Sequence, residues 1–401
     1  MKKIYLFLFL GIISIPIFGD LPRDTIKNKK GGGYYFTEIS NLPFTPVQDQ
    51  CRTATCWSYS SLSFFETELI RMGKPKMNLS EMFIVRGAYL EKAKNYIRMD
   101  GLFNFGPGGA FHDIPFVIAN YGVMPEQFYT GLNDGSDKHN HSEMHAVLKA
   151  TVDAVNTKPQ GGVVSPNWIN SVAGTLDAYL GKSPGDFNFE GKSYNPLSFR
   201  DYLGLNMKDY ISLTSFTHHP FYSTFALEVQ DNWAMQTSYN LPLDEFWQSM
   251  TFALQNGFSF AWASDVSEKG FSFKNGIGIV PAHDSMLIQK GKDDKFFNNA
   301  GADRAGSAFD FPHAEREITQ ALRQQGFDDK TTTDDHGMHA IGLAKDQQGK
   351  SYVKIKNSWG TVNDLEGFMY ISESYIKYKT MNILIHKDGI PKEIKKKLLI
   401  F

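Results

Sequence analysis

The stretch Pro46-Val47-Gln48-Asp49-Gln50-Cys51-Arg52-Thr53-Ala54-Thr55-Cys56-Trp57-Ser58 changes character at its end. Up to Thr55 it is rich in Pro, Gln, Asp and Thr, the composition of a loop. Beyond Cys56, Trp57, Leu62, Phe65 and Leu69 recur at helical spacing until Gly73, a natural stop. A helix therefore starts at or next to Cys56. Helix N-termini stabilise negative charge, and the thiolate is the nucleophilic form of cysteine. Cys51 and Cys56 are the chain's two cysteines. A core built from 401 residues needs no staple, so a thiol kept for its chemistry is the sharper reading of Cys56. An inert buried thiol is the bland one.

Upstream, Met1-Lys2-Lys3 followed by the uncharged, mostly apolar run Ile4 to Phe18 reads as an export signal ending near Gly19. The run is short of a membrane span, so a cleaved signal over residues 1–19 and an exported, periplasmic or secreted mature chain are expected. Hydrophobic residues make up 42% and charged residues 21%, which excludes global disorder. The net charge of -2 gives no electrostatic footprint for nucleic acid, and no stable membrane insertion is expected once the signal is removed.

Downstream, helices are predicted over about 81–96, 111–120 and 241–256, with a further one over about 312–325. Residues from about 130 to 235 have weak periodicity and read as one large insertion; a second covers about 282–330. Tyr34 to Ile39, two segments within 257–281, His339 to Ala344, Tyr352 to Lys356 and Gly367 to Ser372 read as strands. Helices first and strands last is an α+β order.

A thiol nucleophile needs an imidazole, a group to orient that imidazole, and donors for the oxyanion. Gln50, six residues before Cys56, is a candidate oxyanion donor. His336 and His339 are candidate bases. Three apart on one strand, they would face opposite sides, so only one can face Cys56. His336 follows the polar pair Asp334-Asp335, which reads as loop. A Cys51–Cys56 disulfide capping the nucleophile is a rival idea, with Cys51 otherwise a bystander. His218-His219 are adjacent, and neither a metal site nor any cofactor is expected. The basic cluster Lys392, Lys395, Lys396 and Lys397 reads as a solvated face.

Pro46 to Ser58 resembles the nucleophile segment of papain-like cysteine peptidases, and most of all their bleomycin hydrolase/aminopeptidase C branch. Asn78-Leu79-Ser80-Glu81 is similar to the start of that family's next helix. Gly106-Pro107-Gly108-Gly109 resembles its substrate-binding turn, Met338-His339-Ala340-Ile341-Gly342-Leu343 its His-Ala block, and Asn357-Ser358-Trp359-Gly360 its Asn-Ser-Trp-Gly block. The resemblance implies a papain-like fold with a helical lobe and a β-rich lobe, spanning residues 20–401 with the two insertions. It implies a triad of Cys56, His339 and Asn357, with Gln50 in the oxyanion hole. Gly108 and Gly109 would contact substrate, and Trp359 would shield the His–Asn bond. It further implies hydrolysis of peptide substrates, of aminopeptidase type, with an endopeptidase, a transferase or a non-catalytic peptide-binding relative as alternatives, and a homo-oligomer, in that branch a hexamer. Three departures stand out. Cys56 and His339 are much farther apart than the roughly 130–150 residues of papain and cathepsins. Ala54 stands where the family has Gly. The branch's cleft-entering C-terminal tail has no match.

Overall fold

The computed structural model describes residues 25–133, 135–159, 161–290 and 303–400. The expected signal, residues 1–19, lies outside them. Among the described residues no helix is long and apolar enough to cross a membrane.

Helix α1 spans Cys56–Arg71 and α2 Glu81–Arg98, the latter capped by the Ser80 hydroxyl, which accepts from the Phe83 N–H at 3.1 Å. A 3-10 turn at 111–113 leads into α3, Ile114–Tyr121. In the region of weak periodicity stand α4 (Ser142–Asn156), α5 (Trp168–Leu180) and α6 (Pro196–Leu203). Their buried stripes are one residue wide: Met144, Leu148 and Val152 on α4, Val172, Leu176 and Leu180 on α5. Such four-residue spacing buries a narrow face, which is why the pattern is faint in the sequence. These side chains join those of α1 and α2 in one hydrophobic cluster, the helical side of the molecule.

The β-rich side is built on a large mixed sheet. Its strands include β1 (Tyr35–Asn41), β2 (Tyr210–Thr214), β3 (Phe260–Ser264), β4 (His336–Lys345), β5 (Ser351–Lys356), β6 (Phe368–Ser372) and β7 (Thr380–His386). The order β2-β7-β3-β4-β5-β6 is antiparallel at every step, and β1 lies against the far end of β4. Helix α7 (Leu243–Gln255) covers one face; its Phe246, Met250 and Leu254 pack with Phe260, Trp262 and Ile383.

Helix α8 covers Gln320–Asp328 and not the expected 312–325. The Thr319 hydroxyl accepts from the Leu322 N–H and starts the helix there. The preceding residues form no helix, and Glu315 is bridged to Pro281. After α9 (Glu373–Lys379) and β7, the short helix α10 (Lys392–Lys397) ends the described chain. Ile390, Ile394, Leu398 and Ile400 are buried in the β-side core, and Lys397 pairs with Glu245 of α7 at 2.6 Å.

Candidate active site

The two sides meet where α1 runs along β4. Cys56 is the first residue of α1, so its own N–H has no carbonyl four residues back. The loop before it is tightly folded. Ala54 has φ +54°, the left-handed region that a non-glycine residue adopts at a cost of about 1–2 kcal/mol. This is the position where the resembling family has Gly. The Thr53 hydroxyl donates to the Gln50 carbonyl at 2.9 Å and accepts from the Thr55 hydroxyl at 2.7 Å. Cys51 also sits at positive φ, and both cysteines are free thiols.

Along the α1–β4 seam, the Ser60 hydroxyl donates to the Gly337 carbonyl at 2.6 Å, and the backbone N–H groups of Gly337 and Trp57 act on the Cys56 sulfur. The thiol thus lies against the residue next to His336. A Cβ on Gly337 would meet the Phe111 ring at 2.5 Å, so glycine here permits the close approach of strand and helical side.

His336 opens β4, paired with Ser264 of β3. Its Nε2 lies 2.8 Å from Asn357 Oδ1, and that oxygen also accepts the Ser358 N–H at 2.7 Å, which fixes the orientation of the amide. An acceptor at Asn357 Oδ1 means that His336 Nε2 carries the proton, leaving Nδ1 as the basic nitrogen. The ladder pairs His339 with Lys356; carried three residues further, it sets Trp359 opposite His336. The two rings stack with centroids 4.5 Å apart and an interplanar angle of 27°. Trp359 is itself flanked edge-on by Phe273 at 5.3 Å.

Gln50 is nearly buried, its backbone N–H bonded to the Ser358 carbonyl at 2.9 Å. The Ser358 hydroxyl donates to Gln50 Oε1 at 2.7 Å, which orients the amide and turns its NH₂ the other way. Gln50, Asn357, Ser358, Trp359 and His336 therefore form one hydrogen-bonded and stacked unit.

His339 does not belong to it, a correction to the expected triad. It points to the helical side two turns down α1 from Cys56, about 10 Å along the axis. There its Nδ1 lies 2.9 Å from the Ser63 hydroxyl. Ser63 in turn accepts from Lys356 Nζ at 2.8 Å, and Lys356 also reaches Thr45. His339 is fully buried, edge-on to Phe64. Burial first, then the Lys356 ammonium, hold its imidazole well below the usual range, so it stays neutral. Strand β4 begins at His336, three residues before the apolar run that opens at His339, so its first histidine lies in the polar stretch Asp334-Asp335-His336. The visible signal for His336 was its distance from His339 on a single strand.

Burial also pushes the Cys56 thiol up to about 12 and the His336 imidazole down to about 4. Each charge alone is disfavoured. A proton passed from sulfur to imidazole makes both charges at once, with N–H groups on the sulfur and Asn357 on the imidazolium. Cys51 is likewise pushed up, by burial and then by Asp49, which outweigh a backbone hydrogen bond from His139 and the Lys138 charge.

The glycine turn lies beside α1. A Cβ on Gly109 would come within 2.8 Å of the Trp57 ring, whose Nε1 donates to the Pro107 carbonyl at 3.0 Å. Lys92, almost completely buried on α2, donates to the carbonyls of Gly106 and Gly108. A Cβ on Gly108 would fall 2.0 Å from a carboxylate oxygen of Asp231, a residue that no sequence motif marks.

His218 and His219 each place Nε2 on the Glu228 carboxylate, at 3.0 and 2.7 Å, a grouping with metal-ligand spacing. The residues do not fit a metal well. Gln324 accepts the Thr217 N–H at Oε1 and donates from Nε2 to Asp328, so its NH₂ faces His218 Nδ1. That leaves the proton of His218 on Nε2, the atom a metal would need.

A cysteine at the head of a helix, set against a sheet that carries a His–Asn pair, resembles the arrangement of papain-like cysteine peptidases. PepW from Lactobacillus rhamnosis shares the fold, with a TM-score of 0.66 at 18% identity over 90% of this chain and 84% of that one. Residues 313–399, which hold His336, Asn357 and Trp359, match the Peptidase C1-like family. Aminopeptidase G of Lactobacillus delbrueckii subsp. lactis is 21% identical over 402 residues, covering 88% of this chain and 84% of the relative. Aminopeptidase C of Lactococcus lactis subsp. lactis is 21% identical, covering 88% and 83%. The chain has the papain-like fold, and its similarity runs to the Peptidase C1-like family and to the aminopeptidase C branch.

Proposed function

We propose that the protein hydrolyses peptide bonds through Cys56, His336 and Asn357, releasing residues from free amino termini. The observation that carries this is the 2.8 Å bond from His336 Nε2 to Asn357 Oδ1 beneath Trp359, one residue from Gly337, whose backbone N–H favours the Cys56 thiolate.

His336 Nδ1 takes the thiol proton, and the sulfur attacks the scissile carbonyl. The resulting oxyanion receives the Gln50 NH₂ and the Cys56 N–H. The imidazolium then protonates the amine as the C–N bond breaks, leaving a thioester on Cys56. Water, deprotonated by His336, releases the acid and restores the thiol. No step calls on a cofactor. The names of the relatives support the aminopeptidase direction. Cys56→Ala and His336→Ala should both lower reductant-dependent hydrolysis of a peptide amide by about 10³-fold or more. Full turnover by His336→Ala would overturn the assignment of the base.

A further inference from the structure

We infer that Asp231 closes the cleft beyond the glycine turn and is the counter-ion for the free α-ammonium group of the substrate. The inference deepens the peptide-hydrolysis reading and rests on it.

Asp231 belongs to a segment, residues 227–236, that is stapled to itself and to the helical side. The Asn232 side chain donates to the Leu227 and Gln236 carbonyls, both at 3.0 Å, and accepts the Gln236 N–H. Trp233 is buried beside Phe116, and its carbonyl accepts from Asn95 of α2 at 3.0 Å. The segment is thereby held in place, and it sets the Asp231 carboxylate directly over the Gly108 Cα, with Asn104 Nδ2 at 3.4 Å. A chain lying along the turn past Cys56 meets this carboxylate instead of open solvent. An extended endopeptidase substrate would have to displace it. A peptide that ends there presents an ammonium to it.

The local charge balance points the same way. Lys92 is the ammonium nearest the turn, and it faces two carboxylates, Asp113 on its buried side and Asp231 on the cleft side. A second cation is the natural complement. The other charged groups lining this cavity of about 600 Å³ are engaged elsewhere or lie farther along it. Lys149 pairs with Asp153, Glu228 with His218 and His219, and Lys330 lies over the Phe327 ring. Asp334 also lines the cavity, and its charge and that of Asp231 both act on the Cys56 sulfur. His145 packs against Phe105 and is held neutral by burial.

The test compares a dipeptide amide bearing a free amino terminus with its N-acetyl form, using the full-length enzyme with reductant. Wild type should prefer the free amine. In Asp231→Asn the ratio of kcat/KM for free over acetylated peptide should fall about 10- to 100-fold, through KM for the free peptide. Asp231→Glu, which keeps the charge, should recover much of that ratio, which loss of fold would not do. A wild-type preference for the acetylated peptide, or an Asn variant whose ratio is unchanged, overturns the assignment. Equal loss on both peptides in the Asn and Glu variants does the same. If instead Cys56→Ala retains activity on either peptide, it is the reading of the thiol that fails.

Discussion

His336 and His339 lie three residues apart on β4, both buried, and they meet opposite chemistry. His336 faces an amide oxygen that fixes its tautomer, an indole that covers it and a thiol against its neighbouring residue. His339 faces a serine that is already bonded to a buried lysine, and its Nε2 has no hydrogen-bond partner among the described residues. One imidazole can gain a proton because the acquired charge is met. The other cannot, because the nearest charge is an ammonium. What makes a histidine a base is the set of partners around it, which the three-residue offset of a pleated strand changes completely.

Removing the thiol should have the largest effect: Cys56→Ala should lower kcat/KM by about 10⁴-fold or more, measured on a peptide amide with reductant. Next comes the pair itself. His336→Ala should cost about 10³-fold, whereas His339→Ala should stay within about tenfold of wild type in kcat/KM and lose about 1–3 kcal/mol in urea denaturation. Similar kinetic losses in the two variants would erase the contrast. Gln50→Ala should lower kcat by about 10²-fold, with little change in KM, if its NH₂ meets the oxyanion only in the transition state.

The smallest effects are in pH. With His336 held at about 4, the acid limb of kcat/KM should lie well below the ordinary imidazole range, activity falling as pH drops through that value. His339 gives a stability effect of defined sign. Its folded imidazole is held low while the unfolded one takes a proton near about 6.5, so the full contribution is present above that pH and shrinks below it. Urea midpoints from pH 8 down to pH 5 should fall less steeply in His339→Gln than in wild type.

Much of this site could be read in the sequence, because its parts are local. The start of α1 shows in the change from polar loop to apolar stripe at Cys56. Gln50 and the Asn357–Trp359 block carry their meaning in adjacent residues. The placement of His336 against Asn357 does not. Asp334-Asp335-His336 has no apolar alternation, and His336 is a strand residue because Ser264 of β3 pairs with it. The burial of His339 likewise depends on Ser63, far away in sequence. Asp231 was invisible for the same reason: only the folded chain brings it onto Gly108. The C-terminal lysines form the solvated face expected of them, on a helix whose Ile394 is buried.

Ala54 has one more consequence. Its left-handed backbone leaves the link between Gln50 and Cys56 few alternative shapes, since an alanine forced out of that region would also have to break the Thr53 bonds. A glycine would relieve the strain yet let the unfolded and partly open loop sample far more conformations. Ala54 thus narrows the positional distribution of the Gln50 amide relative to the Cys56 sulfur. In the proposed mechanism this holds a sharper geometry at the attacking atom in return for a slightly less stable turn.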